Sequence, residues 1–405
     1  MPGEYLVFHN GGVLTDSGVT PDGMVVVRDG LIDYVGPFEA DRLPEGAETV
    51  DAGGQFIAPG FVDIHVHGGD GADFMDATAE DVERVLRFHA RHGTTSVCAT
   101  TATAPLDEIL AAIDAIESRR ADPEWARILG VHVEGPYLTM SKRGCHLPEH
   151  VRTPQRHEWE QILERGKIAS MTLAPELPGG RELVEALYHG GAIASAGHSE
   201  ALYHEMDEAI AWGVRHVTHL YCAMTDAMNN RWRGTPNPRA AGMVEAVYLN
   251  DELSSELITD GKHLSAEMLR MAMRNKGYEK LAIITDAMRG AGMPDGEYAF
   301  GPRNGMTAIV RNREARIPDG TALASSVYAM NEMVRTFREL TGCPLWQAVR
   351  MASLTPAEIA GESRAIGSLA RGKKADILVL DDQVEIREVY REGHRLRAVP
   401  GAAGD

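Results

Sequence analysis

Between residues 61 and 286 this chain alternates short apolar, β-type runs with stretches of helical periodicity. The β-type runs fall at 61–67, 94–100, 128–133, 169–174, 192–197, 214–219, 256–260 and 281–286. Helix-patterned segments separate most of them, among them 79–92, 106–118, 181–189 and 200–212. Strands joined by helical crossovers run parallel, because each crossover returns the chain to the same end of the sheet. Eight of them can close into a barrel. The expected fold class is therefore α/β, a (β/α)8 TIM-type barrel over residues 58–362.

The two ends have a different texture. Tyr5-Leu6-Val7-Phe8, Met24-Val25-Val26-Val27 and Leu31-Ile32-Asp33-Tyr34-Val35 are β-rich and separated by Asn10-Gly11-Gly12 and Asp29-Gly30, which read as turns. Asp29-Gly30 between two such runs is a hairpin signal. Similar runs return at 375–380 and 386–390, followed by Glu392-Gly393. A small β-sandwich domain built from residues 1–57 and 363–405 is expected, with a frayed tail from Pro400 onward.

Composition narrows the partners. A formal net charge of −19 argues against nucleic acid or an anionic membrane surface, though a local arginine cluster could still meet an anionic substrate. Cys98, Cys145, Cys222 and Cys343 are scattered without a Cys-x-x-Cys spacing, which suits a reducing compartment. No signal peptide pattern opens the chain, and no apolar run is long enough to span a bilayer. A cytoplasmic protein is expected.

In a barrel of this kind the chemistry sits at the C-terminal ends of the strands. His65 and His67 end the first run, and alternate residues of a strand face the same side. Glu134 ends the third, His198 the fifth, His219 the sixth and Asp286 the eighth. Any one of these residues could be a polar cap satisfied by backbone. Six on one rim imply a shared cation, since unpaired buried polar groups cost several kcal/mol each. Imidazoles and carboxylates without a thiolate suit a catalytic divalent metal, zinc or iron, as one or two ions. Glu134 is the candidate bridge between two ions. Asp286 is read as a ligand or as the acid/base of a metal-assisted hydrolysis. His263, in Thr259-Asp260-Gly261-Lys262-His263, would polarise the scissile carbonyl or hold a substrate hydroxyl, or else be structural. His132 and His216 are set deeper and read as supporting residues.

These motifs in this order resemble the amidohydrolase superfamily, and most of all its N-acetylglucosamine-6-phosphate deacetylases. The resemblance rests on Ala58-Pro59-Gly60-Phe61-Val62-Asp63, His132-Val133-Glu134-Gly135-Pro136, Gly197-His198-Ser199, His219-Leu220-Tyr221-Cys222-Ala223-Met224 and Thr285-Asp286-Ala287-Met288. It implies a barrel with a β-sandwich, usually a homodimer, that removes acetate from an amino-sugar phosphate. It also implies Glu134, His198 and His219 around the main metal, Asp286 as acid/base, and room for a second ion at His65 and His67. His146 matches a sugar-contact histidine of the family, in the basic loop Lys142-Arg143-Gly144-Cys145-His146. On the substrate side, Cys222, beside Ala223, stands where the family carries asparagine, and Ser325 where it carries glycine. Arg239 is the best counterpart of the family's phosphate-contact arginine, in a longer loop over 225–242 that also holds Arg231. An amidohydrolase of another N-acyl specificity (a different N-acetyl amino sugar, an N-acyl-D-amino acid or a cyclic amide) stays open at this point. So does a non-catalytic barrel, whose signature would be missing ligands.

Overall fold

The computed structural model describes residues 4–121, 124–227 and 240–396. The eight anticipated runs form one parallel sheet, labelled here β1 (Phe61–Val66), β2 (Thr94–Thr101), β3 (Arg127–Glu134), β4 (Ile168–Leu173), β5 (Ile193–Ala196), β6 (His216–Val217), β7 (Ser254–Ile258) and β8 (Leu281–Ile284). Each pairs with its sequence neighbour, and β1 follows β2 at the far edge. One side-chain and one backbone hydrogen bond close the circle between β8 and β1. The Thr285 hydroxyl donates to Asp63 Oδ2 at 2.5 Å, and the Asp286 amide donates to the His65 carbonyl at 2.9 Å.

An α-helix follows every strand. Those after β1, β2 and β3 are Ala79–Arg91, Leu106–Arg119 and Arg156–Arg165. The first illustrates why such segments are helical. Thr78 caps it by accepting from the Asp81 amide at 3.1 Å, and Val82, Val85, Leu86 and Ala90 recur at helical spacing on the buried side. Strands with helices outside and side chains inside are buried on both faces, as the fully buried β2 shows.

One insertion was not foreseen. Between β8 and the helix Met330–Thr341 lies an antiparallel sheet of Gly296–Ala299, Thr307–Arg311 and Glu314–Arg316. Its strands are too short to give a clear period, and only the turn at Asn312 and Arg313, both at positive φ, marks it locally.

The chain ends combine in a second sheet, as expected. Ile377–Leu380 runs antiparallel to Phe56–Pro59, which leads directly into β1. This sheet has its own apolar core, including Phe8, Val25, Ile57, Ile377 and Tyr390. The Asp29-Gly30 hairpin is present between Val19–Arg28 and Leu31–Pro37. Asn10-Gly11-Gly12 is not a turn, however. The strand Tyr5–Leu14 runs through it with a bulge, Asn10 sitting at φ 57°. The bulge re-aims the strand, so its first half pairs with Glu48–Asp51 and its second with Phe56 and Ile57.

Arg127 at the foot of β3 ties the two sheets together. Its guanidinium reaches Asp376 Oδ2 at 2.8 Å and Glu392 Oε1 at 2.6 Å. Asp376 is buried, so Arg127→Ala would strand a carboxylate without its cation. The expected loss is roughly 3 kcal/mol, seen as a lower urea midpoint at unchanged slope. A loss below about 0.5 kcal/mol would mean that solvent already screens the pair.

Candidate metal centre

All six rim residues converge. His65 lies in β1, His67 just beyond it, and Glu134 is the last residue of β3. His198, His219 and Asp286 each lie two residues past β5, β6 and β8. Those three adopt left-handed backbone conformations, with φ of 49°, 27° and 45°. Such conformations cost about 1–3 kcal/mol each in non-glycine residues and persist where the surroundings enforce them. Here each sharp turn at a strand end throws the side chain over the barrel mouth. Gly135 at φ 77° does the same after Glu134, and a Cβ there would lie 2.3 Å from Thr103 Oγ1.

Glu134 is the hub. Its Oε1 lies 3.3 Å from both His198 Nε2 and His219 Nε2 and 3.4 Å from His65 Nε2. Its Oε2 lies 3.2 Å from His67 Nε2 and 3.3 Å from His146 Nε2. Asp286 Oδ1 meets the same two rings, 3.3 Å from His67 Nε2 and 3.5 Å from His65 Nε2. The imidazole nitrogens also meet one another, His65 to His67 at 3.3 Å and His198 to His219 at 3.0 Å. Two nitrogens each about 2.0–2.1 Å from a tetrahedral ion stand about 3.3 Å apart, so these spacings fit a divalent metal. The donor set itself, imidazole and carboxylate without thiolate, points the same way.

Electrostatics favour a cation equally. Burial alone would lower the pKa of His65, but the charges of Glu134, Glu256 and Asp286 outweigh it and hold the ring well above its ordinary value. His67 is raised to about 9 against the effect of burial, by Asp286 and Glu134. Burial pushes the Glu134 carboxyl up, yet the surrounding imidazoles hold it well below the usual range, and Asp286 falls to about 2 for a like reason. These buried carboxylates demand positive charge. Protons on His65 and His67 supply it in the protein alone, and a metal would supply it in their place.

A second ring of contacts orients the donors. His198 Nδ1 is 2.6 Å from the Lys142 carbonyl, and His65 Nδ1 is 3.1 Å from Glu256 Oε2. Both leave Nε2 turned to the centre. His132 is neutral, its pKa lowered by burial to about 3, and lies between Thr100 and Thr172 hydroxyls as a supporting residue. His216 likewise bonds Ser254 and Glu256 rather than joining the donors.

A cavity of about 400 Å³ opens over the centre, within the range of small-molecule sites. His146, Cys222, Ala223 and His263 line it together with Asp286 and Ser325. His146 lines this cavity and also lies 3.3 Å from Glu134 Oε2, beside the other histidines. His263 Nδ1 is held by Asp260 Oδ2 at 2.8 Å, which leaves Nε2 as its other hydrogen-bonding atom. The Ser325 hydroxyl donates to Asp286 Oδ1 at 3.0 Å from a residue at φ 58°. Arg231 and Arg239 fall outside the described residues.

Three contributors escaped the sequence reading. Glu256 is a carboxylate within a fully buried strand that leads into an apolar run, a placement that requires buried partners and was in itself a signal. Asp63 offered the same signal in β1 and proves to stitch the barrel seam. Phe300 packs its ring against His67 and His146, with centroids 4.9 and 5.3 Å away, from a loop without any detectable pattern.

Comparison with known proteins agrees with this geometry. The Amidohydrolase family matches residues 56–396. An N-acetylglucosamine-6-phosphate deacetylase of Lysinibacillus sphaericus is 33% identical over 96% of this chain and 97% of its own. An N-acetylgalactosamine-6-phosphate deacetylase of Escherichia coli O157:H7 is 32% identical over 94% of this chain and 96% of its own. Among solved structures, a mutant N-acetyl-D-glucosamine-6-phosphate deacetylase from Mycobacterium smegmatis, in complex with N-acetyl-D-glucosamine-6-phosphate, superposes with a TM-score of 0.87 at 29% identity. That match covers 98% of this chain and 100% of the other. The chain therefore belongs to the amidohydrolase family, a metal-dependent family, and within it to the N-acetylglucosamine-6-phosphate deacetylases.

Proposed function

We propose that this enzyme hydrolyses the N-acetyl group of an amino-sugar 6-phosphate, taking N-acetylglucosamine-6-phosphate to glucosamine-6-phosphate and acetate. The observation that carries the reading is Glu134, whose two oxygens face five histidines between them, beneath a cavity that Asp286 also lines. Its support is a chain that aligns end to end with deacetylases of this class. The E. coli relative named for the galactose epimer is nearly as similar, so the epimer is a matter for experiment.

In this proposal Glu134, His198 and His219 would hold one divalent ion, zinc or iron, and His65, His67 and Asp286 would offer a second place beside Glu134. Such an ion would act as a Lewis acid, making water more acidic and an acyl oxygen more electrophilic. Asp286 takes a proton from the attacking water as its oxygen bonds to the acetyl carbon. It returns that proton to the nitrogen as the C–N bond breaks, so acetate and the free amine leave. Ser325, donating to Oδ1, keeps that carboxylate facing the cavity. His263 holds a substrate oxygen through Nε2, its ring fixed by Asp260. His146, Cys222 and Ala223 shape the sugar side, and Arg231 and Arg239 are assigned to the phosphate. A cytoplasmic homodimer completes the proposal. No helix among the described residues is long and apolar enough to cross a membrane.

Asp286→Asn should retain metal and lose about 10²–10⁴-fold in kcat, measured as acetate release alongside metal content. Unaltered turnover would remove Asp286 from the proton-transfer role. On a panel of N-acetyl hexosamines with and without a 6-phosphate, plus N-acyl amino acids, the 6-phosphates should be preferred in kcat/KM. A preference for N-acyl amino acids would replace the sugar reading with the aminoacylase one.

Metal affinity should depend on pH in a direction fixed by His67. Its pKa in the folded, metal-free protein, about 9, exceeds the ordinary 6.5. The protonated ring therefore stabilises the metal-free fold fully below 6.5, and that contribution disappears as pH rises through about 9. Metal needs the neutral ring, so binding expels the proton. Apparent affinity should climb about tenfold per pH unit for this proton up to that value, with His65, also raised, adding to the rise. Metal titrations across this range check it, and affinity independent of pH would refute it.

A further inference from the structure

One buried acid has more to do with the donor cluster than its place in the sequence suggests. Glu256 projects from the middle of β7 into the barrel interior and is 2% exposed. Its Oε2 lies 3.1 Å from His65 Nδ1 and accepts from the His219 backbone amide, also at 3.1 Å. Its Oε1 lies 3.1 Å from His216 Nε2. The Glu256 backbone carbonyl accepts from the Leu220 amide at 2.9 Å, pinning the same turn a second time. Glu134 meets the Nε2 atoms of His65 and His219 at the centre, whereas Glu256 holds the far side of the same two residues, the Nδ1 of the His65 ring and the backbone of the turn that bears His219.

We propose that Glu256 is the positioning residue of the metal centre, setting the donors of both its halves with one carboxylate. An ionised carboxylate only accepts hydrogen bonds. His65 must then keep a proton on Nδ1, so Nε2, facing His67, Glu134 and Asp286, is the nitrogen whose lone pair is freed when a metal displaces the ring's second proton. The bond to the His219 amide acts on the backbone instead. It braces a residue held at φ 27°, and that turn carries the imidazole to within 3.0 Å of His198. His216 completes the carboxylate's hydrogen bonding from the far side, and Ser254 fixes that ring in turn at 2.8 Å. Asp63 shows what a purely structural acid looks like in the same barrel. Its bonds go to backbone amides and the Thr285 hydroxyl, with none to an imidazole.

This inference rests on the reading that the cluster binds metal, and zinc binding to the wild-type protein tests that reading first. Wild type, Glu256→Ala and Glu256→Gln, stripped with a chelator, are titrated with Zn²⁺ against a chromophoric competitor. Bound metal is counted by elemental analysis, and melting is followed with and without Zn²⁺. Loss of a residue that orients ligands typically weakens metal binding about 10–100-fold, and Glu256→Ala should fall in that range. Its zinc-induced rise in Tm should shrink accordingly. Glu256→Gln should bind zinc with intermediate affinity, because an amide oxygen can still accept from His65 and the His219 amide. A merely structural acid would lower the metal-free Tm and leave zinc affinity unchanged. Wild-type affinity in Glu256→Ala, or in Glu256→Gln should the alanine variant not fold, overturns the proposal alone. A wild-type protein that fails to bind zinc overturns it together with the metal reading.

Discussion

The hydrogen bond from the Asp286 amide to the His65 carbonyl is the contact on which the active end of this molecule depends. It joins the last strand of the barrel to the first, and the residues it joins are themselves members of the donor cluster. Some 220 residues of sequence separate them, so nothing local brings them together. Closure does, and closure needs the strands between to be of matching number and tilt. Asp63 secures the same seam one layer deeper. Burial raises its carboxyl to about 7, while bonds from Thr285 and the His65 amide offset that penalty. A polar residue that looks misplaced in an apolar strand thus holds the cylinder shut.

Once the cylinder is closed, charge decides what its mouth can hold. Glu134, Asp286 and Glu256 bring three carboxylates into one buried volume among histidines. Removing a carboxylate from water without compensation is prohibitive, so the arrangement exists only with positive charge inside it. The imidazoles can provide that charge as protons or give up the protons to a metal. Folding and metal binding are therefore coupled through the same atoms, and the basic shift of His67 and the acidic shift of Asp286 are two views of one balance.

The architecture was readable because it repeats. Eight apolar runs separated by helical segments allow few solutions, and residues at the ends of those runs must share a rim. The sequence alone thus puts His65, His67, Glu134, His198, His219 and Asp286 on one rim. What it could not reach depends on distance in sequence or on loops. The Asn10-Gly11-Gly12 run carries turn residues, yet continuing strand pairing on both sides turned it into a bulge. His146 comes from an irregular loop, and only the fold shows that it shares Glu134. Glu256 was visible as an anomaly, but its partners lie on β1 and on the turn after β6, which periodicity cannot connect.

The backbone strain at the rim follows from the same design. His198, His219 and Asp286 all occupy the left-handed region, as does Ser325 beside them. An extended strand continued past the rim would point alternate side chains outward and spread the donors around the circumference. A left-handed residue at the strand end turns the chain abruptly and aims its own side chain toward the axis. The cost of each turn falls on a residue whose side chain or backbone is then bonded within the cluster: His198 to the Lys142 carbonyl, His219 to Glu256 and Asp286 to Ser325. Strain and hydrogen bonding are placed at the same positions, so the local penalty is met by the contacts that the turn makes possible. A barrel of regular strand ends would be less strained and would keep only His65, His67 and Glu134 of the six donors at its mouth.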